Sequence, residues 1–140
     1  MTEREAVRKS VELISELHVL YDSTKNKIGA ILPVASLESL YNKFHGTELG
    51  ETLKPLNKAD VLLGEISPYL TLFTAGVIDE DEVIKRFDKR SERALGGISI
   101  IDYVTQATVY LKAYSNPLNS LDEIMTILSA KFMNPEIIPC

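Results

Sequence analysis

The chain has little of what covalent and metal chemistry needs. Its 140 residues include one cysteine, the terminal Cys140, and two histidines, His18 and His45. A single thiol excludes an intramolecular disulfide and a thiolate metal cluster, and fits a reducing compartment. Cys140 is the last residue and not the fourth from the end, so it makes no prenylation motif. The histidines stand in no HExxH, HxxxH or Cys-His spacing. No zinc site, other metal site or cofactor is therefore expected from this chain. The P-loop, the dinucleotide-binding glycine pattern and the GxSxG nucleophile elbow are also missing. Glu48, Glu51 and Glu65 are carboxylates that nothing in the sequence pairs, so the pattern argues against an enzyme and leaves only one whose cleft is invisible in sequence.

Long apolar runs are missing as well. The most apolar stretch, residues 98–114, is shorter than the roughly 20 residues that cross a bilayer and contains Asp102, Gln106 and Lys112. No membrane association is expected. The first residues enter a charged amphipathic pattern without an apolar signal core, and a cytoplasmic location follows as the expectation. Basic excess is lacking too: the formal net charge is −5 and the pI is near 5.1. Coating nucleic acid or an anionic membrane needs a positive field, so only a local basic patch would allow nucleic-acid binding.

What is present is ordinary globular material. An apolar fraction of 45% with 25% charged residues suits a packed core, and this length buries about two-thirds of the unfolded chain's surface. Thr2 and Glu5 have capping-box spacing, and Val7, Val11, Ile14, His18 and Tyr21 recur at four and three. This predicts a first helix over residues 2–22, with 23–27 as a polar connection. Leu13, Leu17 and Leu20 form a second apolar row beside the first, which suits burial against two partners. Residues 28–34 contain Gly29 and Pro33 and read as either a turn or a short strand.

Ser36 predicts a cap for a helix that ends at His45-Gly46, and Pro55 should stop any turn begun at residues 47–53. Asn57 predicts the cap of a further helix that ends or kinks at Ser67-Pro68, followed by a short piece to Gly76. Asp79 and Glu82 repeat the capping spacing for a helix to about residue 94, and Gly96-Gly97 breaks it. Ser99 starts the apolar segment, whose stripe is Ile100, Val104, Ala107, Leu111 and Tyr114. Its β-branched and aromatic residues also suit a strand, but its length favours a helix. Ser120 and Glu123 predict a final helix bearing Leu121, Ile124, Leu128 and Phe132.

The expected fold is all-α, a single-domain bundle of five to seven helices over residues 1–133, with the segment after Gly97 central and an extended tail at 134–140. The alternative is α+β, with a small sheet from residues 28–34 and part of 103–111.

Two sets of residues are candidate sites. Arg86, Lys89, Arg90 and Arg93, with Gly97 and Ser99 at the next helix start, offer an anion-binding arrangement for a phosphate or nucleic acid. Asp88 and Glu92 lie among them, which favours a solvated face. The run Asp79, Glu80, Asp81 and Glu82 is better explained by the helix dipole and by i,i+4 pairs from Asp81 to Lys85 and Glu82 to Arg86 than by a metal. Val7, Val11, Ile14, His18 and Tyr21, with Ile137 and Ile138 in the tail, are candidate partner contacts. Together these point to a non-catalytic interaction protein, self-associating or a small subunit of a larger assembly.

Overall fold

The computed structural model describes residues 1–29 and 37–115 of the chain. It is all-α: the described residues form five α-helices and no strand. α1 spans Glu3–Gly29, α2 Leu37–Lys43, α3 Glu48–Thr74, α4 Glu80–Arg90 and α5 Ile100–Ser115, with a π turn, Ser91–Leu95, directly after α4. Residues 103–111 lie within α5, so the small-sheet alternative fails there, and Ile28 belongs to the last turn of α1. Residues 30–34, the helix expected at 120–132 and the tail lie outside the described residues.

Capping fixes where the helices begin. The Glu5 amide donates to Thr2 Oγ1 at 3.1 Å, and the Glu82 amide to Asp79 Oδ1 at 2.8 Å. At α5 the Asp102 amide donates to Ser99 Oγ at 3.2 Å. Each bond satisfies one of the four amides that a helix start leaves open, an effect of about 1 kcal/mol. Between α4 and α5 the chain turns through Gly96 and Gly97, both left-handed at φ +77° and +75°, a region costly for residues with a Cβ. The buried Ser91 secures this corner: its hydroxyl donates to the Ile98 carbonyl at 2.5 Å, and its own carbonyl accepts from Gly97 N at 2.9 Å.

α1 runs a full two turns past the expected end at residue 22. The reason lies in Thr24 and Ile28, which continue the buried row of Ala6, Val7, Leu13 and Leu17 at helical spacing. Thr24 looks polar in sequence, yet it is 1% exposed. Its hydroxyl bonds to the Leu20 carbonyl at 2.7 Å and shares a hydrogen bond with the buried hydroxyl of Tyr114 on α5. Satisfying both hydroxyls inside the core removes the penalty each would carry alone.

The larger correction concerns α3. Pro55, Asn57 and Ser67-Pro68 predict three pieces, but one helix of 27 residues runs through both prolines. Leu49, Leu53, Leu56, Ala59, Leu63, Ile66 and Leu70 form an unbroken buried stripe across them, none more than 3% exposed. Each interior proline costs about 3 kcal/mol, whereas each large apolar side chain gains about 1.5–3 kcal/mol on burial. The stripe therefore outweighs the two breaks. Thr47 caps this helix, its hydroxyl accepting from Gly50 N at 3.2 Å. Gly50 has to be glycine, because a Cβ there would collide with the Phe44 carbonyl where α2 meets α3.

α3, not α5, is the hub, for it packs against each of the other four helices. The α5 stripe of Ile100, Val104, Ala107, Leu111 and Tyr114 is buried as its spacing predicts. α4 joins the same core through Val83 and Phe87, and the Phe87 ring meets Tyr103 of α5 edge to face at 5.2 Å.

Pro68 is exposed, so its replacement disturbs no core contact. Pro68→Ala restores one backbone hydrogen bond and removes a ring clash, and urea unfolding should show a gain of about 1–3 kcal/mol. No gain would mean that α3 does not continue through this position.

Candidate interaction surfaces

The two apolar rows of α1 have different fates. Leu13 and Leu17 are buried in the core along with Val7, whereas Val11, Ile14 and Tyr21 are only partly covered and His18 is exposed. Val7 is thereby removed from the set of residues free to touch a partner. Val11, Ile14 and His18 instead line an open groove of about 290 Å³, with Leu70, Thr71 and Thr74 of α3 on its other bank. Val19, on the next part of α1, is 66% exposed. Ile137 and Ile138 lie outside the described residues.

The basic face of α4 is partly engaged within the molecule. The Arg86 guanidinium bonds to Glu82 at 2.9 Å, which holds that carboxyl below the ordinary carboxylate range. Arg90 reaches across to Glu65 of α3 at 3.1 Å. Lys89 and Arg93 are exposed. Gly97 N donates to the Ser91 carbonyl, and Ser99 Oγ already accepts from Asp102 N, so both are committed to the α4–α5 corner. Arg86, Arg90, Gly97 N and Ser99 Oγ thus have structural partners, while Lys89 and Arg93 face solvent.

The acidic start of α4 faces α1. Arg4 makes a two-pronged pair with Asp81, Nε to Oδ1 at 3.0 Å and Nη2 to Oδ2 at 2.7 Å, and Arg8 pairs with Glu80 at 3.1 Å. Asp81 therefore turns to α1 and not to Lys85, while the Glu82–Arg86 pair forms as its spacing predicts. Exposed pairs of this kind add little individually, because solvent screens the charges. Their worth is in orienting the first turn of α1 against α4. Among the described residues no group of three His, Cys, Asp or Glu side chains is placed to hold a metal ion, and no helix is long and apolar enough to cross a membrane.

A third surface has no counterpart in the sequence pattern. Between α2, α3 and α5 lies a groove of about 410 Å³, lined by Tyr41, Asn57, Val61, Leu62, Gln106 and Tyr110, with Lys58 at its edge. The Lys58 ammonium stands over the Tyr110 ring, 5.8 Å from its centroid. Val61 is 59% exposed in spite of its apolar side chain. Asn57, which reads in sequence as a helix cap, sits inside α3, and its Oδ1 is buried without a hydrogen-bond partner. An asparagine capping a new helix would be unremarked. It becomes conspicuous only once α3 is known to pass through Pro55.

Asp60 is the one described carboxyl raised above its ordinary value; burial is the main cause, repulsion from Glu38 adds to it, and His18 partly offsets it. The folded chain thus disfavours the charged form, so this contribution to stability is present at low pH and lost as pH rises through the raised pKa.

Comparison with protein-family models, with curated proteins and with solved structures finds no significant match.

Asp60→Asn should melt at a higher temperature than the parent at pH 7, with the difference closing as pH falls below the carboxylate range. A constant difference across pH 3–8 would contradict the assignment of the penalty to this carboxylate.

Proposed function

We propose that this chain is a non-catalytic helical interaction protein that self-associates, or joins a larger assembly as a small subunit, through the α1–α3 face. The observation that carries this reading is the division of α1 into two apolar rows. The core takes Val7, Leu13 and Leu17, while Val11 and Ile14, with His18, border an open groove. A helix that served only its own fold would present charge here, because apolar surface in water carries a cost and contiguous apolar patches mark contacts. Small hydroxyl residues on the α3 bank, Thr71 and Thr74, allow close approach of a neighbouring helix while their hydroxyls bond back to the α3 carbonyls of Ser67 and Thr71.

The anion-binding and enzymatic readings find less support. The first loses Arg86 and Arg90 to intramolecular pairs, and for the second no group of three His, Cys, Asp or Glu side chains among the described residues is placed to hold a metal ion.

Light scattering behind size exclusion, at several loading concentrations, should give a mass above that of one 15.6 kDa chain, or a stable complex with a co-purifying chain. Ser15→Arg with Thr71→Arg changes two exposed positions of the face and should return a folded monomer of unchanged helicity. A parent chain that is monomeric at every concentration and carries no partner would overturn the reading.

A further inference from the structure

The exposed side of α1 carries charges that fit one occupant. Resting on the interaction reading above, we propose that this occupant is a second copy of the chain, whose α1 packs antiparallel across the first about a two-fold axis at Ser15. Arg8, Ser15 and Asp22 recur every seven residues, close to two full turns, so they lie near one line of the helix. All three are exposed, and Ser15 also borders the groove shared with α3. In an antiparallel pair centred on Ser15, Arg8 of each copy comes level with Asp22 of the other, and the symmetry makes this complementary pair twice. A parallel pair would set Arg8 on Arg8 and Asp22 on Asp22, like charges that oppose association. The small side chain of Ser15 at the axis lets the two backbones approach closely.

The residues flanking this line fit the same register. Val11 and His18 lie on the side of the α3 groove, four residues before Ser15 and three after it. Val19 and Glu12 take the mirrored positions on the other side, four after and three before. The two-fold therefore sets Val11 against the His18 ring of the second copy, and Val19 against the methylene stem of Glu12 of the second copy. Val19 is 66% exposed and Val11 only partly covered in the single chain, so both gain cover from water. Arg8 can serve both its own fold and this contact. Its Nε bonds Glu80 at 3.1 Å, its side chain is 61% exposed, and the guanidinium fork has further N–H donors.

Charge exchange tests the register. Arg8→Asp or Asp22→Arg alone places like charges at both ends of the seam, and the dimer dissociation constant, read by analytical ultracentrifugation, should rise roughly tenfold or more. An equimolar mixture of the two variants should recover dimers, because each chain then answers the other's charges, and the doubly substituted chain should recover them by itself. A loss arising only from the broken Arg8–Glu80 pair would not be rescued by mixing. In a Cys140→Ser background, Ser15→Cys should cross-link to its own copy on mild oxidation, whereas Arg8→Cys should not, since its two copies lie about 21 Å apart along the seam. Parent dimers that withstand both single substitutions overturn this register and leave the interaction reading standing, as does a parent that carries a different chain but does not pair with itself. Failure of the mixture to recover dimers overturns the register too. A parent that is monomeric at every concentration and carries no partner overturns both.

Discussion

The structure depends on one constraint, the unbroken apolar stripe of α3. From Leu49 to Leu70 every third or fourth residue is buried, and the stripe meets α1, α2, α4 and α5 in turn. A helix that serves four neighbours cannot be split without dividing the core, so the packing holds it continuous through Pro55 and Pro68 against their local preference. Both rings sit away from the buried row, Pro68 exposed and Pro55 partly so. The cost is therefore paid in backbone hydrogen bonds and not in lost packing.

This constraint explains which parts of the fold were legible in sequence. Where a helix signal depends on one or two adjacent residues, pattern and structure agree: Thr2, Asp79 and Ser99 cap as their spacing indicates, and the α5 stripe is buried residue for residue. Where tertiary packing overrides a local preference, they diverge. Pro55 and Pro68 are strong local stop signals that a 27-residue stripe outweighs, and Thr24 reads as a loop residue until Tyr114 is found against it. The α5 segment was recognisable as core, but its rank below α3 was not, because the apolar content of α3 is diluted by prolines and by an exposed polar face.

The surfaces follow the same logic. Val11 and Ile14 were identifiable by spacing, although the sequence could not distinguish them from Val7, which the core takes. The α2–α3–α5 groove was hidden because its residues come from three separate helices and because Asn57 passes for a cap. Electrostatics is secondary throughout: Arg4, Arg8, Arg86 and Arg90 are all paired near the surface, where they orient α1, α3 and α4 without carrying the fold.

The continuity of α3 is the claim on which the core, the α1–α3 face and the Asn57 groove all rest. Native-state amide hydrogen exchange followed by NMR tests it most directly. Amides from Leu56 through Ile66 should exchange as slowly as those of Val104 to Leu111 in α5, with protection continuing on both sides of each proline. Fast exchange flanking Pro55 and Pro68 while α1 and α5 stay protected would show three separate pieces, and the account would fail.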